Sequence, residues 1–259
     1  MAPRECKGPR LFVEGLCERG AVEANSLLSL SPHDSHYLKD VLRLPVGAFV
    51  EIGDPDSGET FKASIASASD GVTLTILEKI DTATTEISIT LLCALCKGQK
   101  NELITDWATE LGCSNIIFWQ ADRSIVRLKN EGDAEAKAQK FSKAALAAAQ
   151  QSRQVRPPHV RVTTSLAKAL ELLSPTPLDM AIVCSLEHDA RPLSTLLTSH
   201  QAGGRIFIMI GPEGDLTPSE SETLRNHGFT PASLGRKILR SELAVLVALV
   251  SVTTAASLD

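Results

Sequence analysis

The stretch Arg205-Ile206-Phe207-Ile208-Met209-Ile210-Gly211-Pro212-Glu213-Gly214 decides how this chain is read. Residues 206–210 are apolar without alternation, the pattern of a strand buried on both faces of a sheet. Four residues rich in Gly and Pro end it, and Thr217 and Glu220 come next at the spacing of a capping box, with Pro218 at the first helical position. That helix is expected to stop near Gly228. A strand, a Gly-Pro-Glu-Gly loop and a helix in succession place the loop at the carboxyl end of a parallel strand, where open α/β sheets bind ligands. The two glycines would let a ligand approach the backbone closely. A simple turn is the other reading of the same four residues.

Outward from this point the pattern repeats. Strands are expected at 87–95, 115–119, 160–163, 179–184 and 205–210, with helices between them. One helix runs over 101–111, with Asn101 as N-cap and Gly112 as stop, and another, rich in Ala, over 133–152. Strand and helix in alternation predict a mainly parallel sheet covered on both sides. The first eighty residues differ. Short strands at 11–13, 48–52, 60–66 and 72–77 are separated by turn chemistry such as Asp54-Pro-Asp-Ser-Gly58, with one helix near 31–42, and a small β-barrel is the expected solution. The division is therefore a barrel over 1–80, a polar linker over 81–86 and an α/β domain over 87–259.

The 259 residues carry a net charge of −5, which argues against indiscriminate nucleic-acid binding, and aromatics at 4% are too few for a surface of base-stacking platforms. Charge is unevenly spread. Between Arg123 and Arg161 lie nine basic residues and three acidic ones. This is either a solvated helix face or a strip facing phosphates. Cysteines stand at 6, 17, 93, 96, 113 and 184. Cys93 and Cys96, if both lie on a strand, point to opposite faces and cannot share a metal, so buried free thiols in a reducing cytosol are expected. The histidines show no ligand spacing, and His33 and His36 read as a solvated helix pair; no metal is expected. Residues 1–20 lack the apolar core of a signal peptide, and the apolar run 243–250 is too short to span a bilayer, which predicts a cytoplasmic protein without membrane attachment.

A second decisive segment is Leu234-Gly235-Arg236-Lys237-Ile238-Leu239-Arg240-Ser241-Glu242, leading into a helix that is apolar on every side. Such a helix must be covered all round, by its own chain, by another subunit or by both. Together with residues 210–214 this segment resembles the SPOUT superfamily of knotted methyltransferases, and within it the RsmE family, which methylates N3 of a uridine in bacterial 16S ribosomal RNA. Further pieces fall in the same order: Arg10-Leu-Phe12, His36 with Val41-Leu-Arg43, Lys97-Gly-Gln-Lys-Asn-Glu102 with Glu110-Leu-Gly112, and Gln150-Gln-Ser-Arg153 with Pro158.

The resemblance implies a PUA-like RNA-binding barrel, then a SPOUT α/β domain with a deep trefoil knot, acting as a homodimer on 16S rRNA within the small ribosomal subunit. It implies S-adenosyl-L-methionine as cofactor, held by Leu186, by Ile210, Gly211, Pro212, Glu213 and Gly214, and by Leu234, Gly235, Ile238, Leu239 and Arg240. Uracil N3–H is about as acidic as a phenol, with a pKa of roughly 9–10. A permanently charged guanidinium can stabilise the anion that forms as the methyl group arrives. Arg240 or Arg153 is expected in that role, with Glu242 or Glu213 as base or as the group that orients the arginine. Arg10, Arg43, Arg123, Arg153 and Arg156 are the expected RNA contacts. The chain departs from the family at Asp215, where Gly is usual, at Gln150, where Glu is usual, and at Gln154, where Arg is usual. Two other readings are a catalytically silent RNA-binding assembly factor and a SPOUT enzyme acting on transfer RNA. A dinucleotide-dependent oxidoreductase is disfavoured, because no Gly-x-Gly-x-x-Gly follows any expected strand.

Overall fold

The computed structural model describes residues 8–17, 23–81, 87–176, 179–198 and 204–256. The chain divides into two compact units, one of Met1–Thr84 with Ala149–Pro157, the other of Thr85–Ala148 with Pro158–Asp259. Most of the expected linker, residues 82–86, lies outside the described residues.

In the first unit five strands form one sheet: β1 (Arg10–Phe12), β2 (Leu27–Ser29), β3 (Phe49–Gly53), β4 (Thr60–Ser67) and β5 (Thr73–Ile80). Their order is β1-β3-β4-β5-β2, with β1 parallel to β3 and every other pair antiparallel. Alternate residues Val50, Ile52, Phe61, Ala63, Ile65, Leu74 and Ile76 point into one core, which Leu38 completes. The expected barrel is an open sheet: β1 and β2 form its two edges, and among the described residues no pairing joins them. β2 is absent from the expected strands, since three residues carry no usable alternation. The helix expected over 31–42 is α1 (Pro32–His36), capped by Ser31, continuing as a π-helical turn over Tyr37–Val41. Leu42 N–H donates to the Tyr37 carbonyl at 2.9 Å, and Arg43 then takes a φ of +53° that ends the turn.

The second unit is a seven-stranded sheet, parallel throughout. Its strands are β6 (Ile89–Ala94), β7 (Cys113–Trp119), β8 (His159–Thr163), β9 (Met180–Cys184), β10 (Arg191–Pro192), β11 (Ile206–Ile210) and β12 (Thr230–Ser233), in the order β10-β12-β9-β11-β6-β7-β8. The helices are α2 (Lys100–Glu110), α3 (Glu131–Ser152), α4 (Leu166–Glu171), α5 (Leu193–Leu197), α6 (Pro218–Asn226) and α7 (Ser241–Ala256). β11 is central and wholly buried, as its unbroken apolar run requires. Ile206, Ile208 and Ile210 join the core beneath α2 and α7, while Phe207 and Met209 join the core beneath α4 and α6.

Strand register aligns the ends of four strands. Ile210 at the end of β11 is level with Cys93 of β6 and Cys184 of β9, and Ala232 of β12 is level with Cys184. The loops leaving β6, β9, β11 and β12 therefore open on one edge of the sheet. Two local expectations are corrected. Asn101 lies inside α2 rather than capping it: its Oδ1 accepts from Cys96 N–H at 2.9 Å and its Nδ2 donates to the Cys96 carbonyl at 2.7 Å, so it braces the loop ahead of the helix. Cys93 and Cys96 do not face opposite ways. β6 ends at Ala94, the strand alternation lapses, and both thiols are buried in one core, donating to the Ala94 carbonyl at 3.4 and 3.5 Å. Among the described residues no helix is long and apolar enough to cross a membrane.

Candidate functional site

A cavity of about 280 Å³ lies at that sheet edge. Three segments wall it: Cys184, Ser185 and Leu186 at the end of β9, residues 210–213 with Asp215 at the end of β11, and residues 234–235, 237–241 and 244 across the turn into α7. The first link between walls is made by Ser241, a buried residue whose hydroxyl donates to the Gly211 carbonyl at 3.2 Å. Gly235 has a φ of +125° and open space where a Cβ would stand, so the third wall can bend there and admit a ligand close to the backbone.

The two other glycines serve the loop itself. A Cβ on Gly211 would meet Leu216 Cγ at 3.2 Å, and one on Gly214 would meet Arg123 Cβ at 3.1 Å. Arg123 also donates to the carbonyls of Gly214 at 3.2 Å and Leu216 at 3.1 Å. The loop is thus fastened by Arg123 and runs into α6, whose capping box of Thr217 and Glu220 forms as the sequence requires.

Charge concentrates where the second and third walls meet. Lys100 Nζ, at the start of α2, lies 3.2 Å from Glu213 and 3.1 Å from Glu242. Burial pushes the Glu242 carboxyl up, but its own backbone amide, Lys100 and Arg240 outweigh that and hold it below the usual carboxylate range. Burial likewise works against the Lys100 ammonium, and the two carboxylates more than compensate, raising it. A carboxylate held this low is a weak base. Cys184 also lines the cavity, its thiol pushed up to about 12 by burial.

Of the residues expected to hold a cofactor, Leu186, Ile210, Gly211, Pro212, Glu213, Leu234, Gly235, Ile238, Leu239 and Arg240 come together in this lining, and Gly214 sits just behind it against Arg123. Arg240 is exposed at the cavity, and Glu242 stands in the first turn of α7 with its side chain turned to Lys100. Arg153 is engaged in the first unit, where it pairs with Glu51 at 2.8 Å and donates to the Gly8 carbonyl at 2.8 Å. Of the other arginines, Arg10 is only 6% exposed, donating to Thr60 Oγ1 and, at 2.9 Å, to the Arg153 carbonyl. Arg156 donates to the Ser57 carbonyl and packs over Gly58, while Arg43 is exposed.

Sequence reasoning passed over Lys100, Ser185, Asp215, Lys237 and Ser241 as members of this lining or its supports. Lys100 and Ser241 lie within motif segments singled out in the sequence, but only the parallel register brings those segments together.

Residues 83–253 match the RNA methyltransferase domain family, and residues 30–77 match the RNA methyltransferase PUA domain. The chain is 29% identical over 250 residues to a ribosomal RNA small subunit methyltransferase E of Bacillus subtilis, covering 94% of this chain and 95% of that one. A protein of the same name from Rickettsia conorii is 28% identical over 235 residues, covering 88% and 90%. A solved structure of a ribosomal RNA small subunit methyltransferase E from Neisseria gonorrhoeae, bound to S-adenosyl methionine, superposes with a TM-score of 0.81 at 22% identity, covering 95% of this chain and 97% of that one. With one family spanning the sheet, the cavity and its three walls, and the PUA match falling in the first unit, this chain belongs to the RNA methyltransferase family.

Proposed function

We propose that this protein transfers a methyl group from S-adenosylmethionine to N3 of a specific uridine in 16S ribosomal RNA, acting on the small ribosomal subunit. The observation that carries the proposal is the cavity between residues 210–213 and 234–241, clamped by the Ser241–Gly211 hydrogen bond. Its residues fit the cofactor. Leu186, Ile210, Leu234, Ile238 and Leu239 offer apolar surface for a purine ring, and the backbone along 211–213 and around Gly235 offers polar groups at close range. When bound, S-adenosylmethionine supplies an electrophilic methyl group on a sulfonium centre.

The protein's part is positioning and charge. Arg240, exposed at the cavity and permanently cationic, stabilises the uridine anion that forms as N3 gives its proton to solvent, and the anion then takes the methyl group with S-adenosylhomocysteine as the leaving group. Glu242 orients this region rather than taking the proton, since its carboxyl is held ionised and weakly basic. Arg43, Arg153 and Arg156 face the RNA, Arg10 supports Arg153 from within, and Arg123 serves the substrate side only through the loop it fastens.

The domain division is read as a PUA-like unit over 1–80 and a methyltransferase domain over 87–259. The latter is read as a SPOUT fold with a deep trefoil knot, the chain leaving β12 beyond β9 and returning as α7 to pack on β11 and α2. A homodimer is inferred from α7: although its inner side is buried, Leu243 and Val250 remain 43% exposed, an apolar face that a second copy would cover.

Calorimetry with S-adenosylhomocysteine separates this enzyme from a silent RNA-binding factor on the same scaffold. Saturable binding that is lost in Gly235→Val supports the proposal. A protein that binds small-subunit RNA but shows no heat with either form of the cofactor contradicts it.

A further inference from the structure

Lys100 stands apart from the three cavity walls. It opens α2, yet its ammonium lies 3.2 Å from Glu213 and 3.1 Å from Glu242. Glu213 lines the cavity from the loop after β11, and Glu242 stands in the first turn of α7 next to Ser241 of the third wall, so the two carboxylates come from different segments. The three side chains are mostly withdrawn from water, at 26%, 26% and 14% exposed for Lys100, Glu213 and Glu242. One cation between two carboxylates leaves a single excess negative charge. Without the lysine, two partly desolvated carboxylates would face each other, which favours either protonating one or moving the walls apart.

Two other titratable groups act on the pair. The Arg240 charge, in the turn before α7, helps to lower Glu242, and the two carboxylates help to raise the buried Cys93 thiol of β6. The lysine itself is held in place by its neighbour, since Asn101 bonds both backbone groups of Cys96 and fixes the loop that enters α2.

We propose that Lys100 is a positioning residue, an ionic strut that holds the 211–213 loop against the start of α7 and so sets the width of the methyl-donor pocket. The proposal rests on the methyl-donor reading of that cavity.

The test compares wild type, Lys100→Met and Lys100→Arg in two measurements. The first is thermal unfolding from pH 5 to pH 8 without ligand. In the wild type Glu242 titrates low, so its contribution is present above the ordinary carboxylate range and is lost only as pH falls below it. In Lys100→Met the repelling pair titrates high, so the variant gains stability as pH falls, and its deficit in Tm shrinks from pH 8 to pH 5. Lys100→Arg keeps the wild-type profile. The second measurement is S-adenosylhomocysteine affinity, expected to fall about tenfold in Lys100→Met at pH 8, to recover toward pH 5, and to be restored in Lys100→Arg. A Lys100→Met deficit that does not change with pH, or unaltered melting and affinity, overturns the strut. If wild type binds no cofactor while the pH-dependent melting appears as described, the strut stands and the methyl-donor reading fails.

Discussion

Asp215 occupies the place where the family pattern has glycine, and its φ of +61° shows why glycine is usual there. Aspartate is among the few other residues that tolerate the left-handed region, because its short side chain bonds locally. Here its Oδ1 accepts from Leu216 N–H at 2.9 Å, while its own N–H donates to the Pro212 carbonyl at 3.0 Å. The departure thus keeps the backbone that the loop requires. Asp215→Gly is expected to leave cofactor affinity near wild type. Asp215→Val should cost about 1–2 kcal/mol of stability and weaken binding, since a β-branched residue resists this conformation. Paired denaturation and calorimetry on the two variants check it. Arg153 obeys the same logic at the end of α3. With a φ of +60° it terminates the helix, and Gln154 N–H donates back to the Ala149 carbonyl at 3.0 Å. Where the side chain goes was not legible in residues 150–154, because the Glu51 that receives it lies about a hundred positions away.

At the scale of elements, α6 shows what local sequence dictates. Thr217 Oγ1 accepts from Glu220 N–H at 3.2 Å, Glu220 accepts in return from Thr217 N–H at 2.7 Å, and Pro218 opens the helix. Thr217→Ala should cost about 1 kcal/mol. Glu220→Ala should cost more, because Glu220 is buried and also accepts from Asp122 N–H at 2.9 Å, joining the loop after β7 to α6. Urea denaturation of the two variants ranks the effects. β11, α6 and the apolar α7 could be read directly, since each satisfies its own period and termini. β10 and β12 could not: one is Arg191-Pro192 and the other carries Pro231, so both owe their strand form to neighbours in the sheet. The cavity walls were legible as motifs, whereas Lys100 and Ser241 were legible only as parts of motifs, their partners being set by register. The outer side of α7 yields a further expectation. If α7 forms the proposed homodimer face, Val250→Asp should leave a folded monomer in sedimentation experiments where wild type sediments as a dimer, since this position is 43% exposed in the single chain.

At the scale of the whole molecule, Asp179 is a carboxylate whose titration bears on the response to acid. Burial pushes Asp179 up, but the Arg205 guanidinium and the backbone amides of Thr176 and Arg205 outweigh it and hold it far below the usual range. With its folded value depressed, its contribution is complete above the unfolded value of about 4 and is lost as pH falls below that. Unfolding free energy should therefore drop steeply below about pH 4 in wild type and less steeply in Asp179→Asn, which should also be less stable by about 2 kcal/mol at pH 7. Function depends on the same assembly of distant segments, because the pocket's walls arise from three strand ends and the start of a terminal helix. The most direct measurement of methyl transfer by this pocket incubates the protein with methyl-labelled S-adenosylmethionine and unmodified 30S subunits, then maps the label. The predicted result is label on N3 of a single uridine in 16S ribosomal RNA, abolished in Gly235→Val. Absence of label from the ribosomal RNA, or label on a base other than uridine, would contradict it.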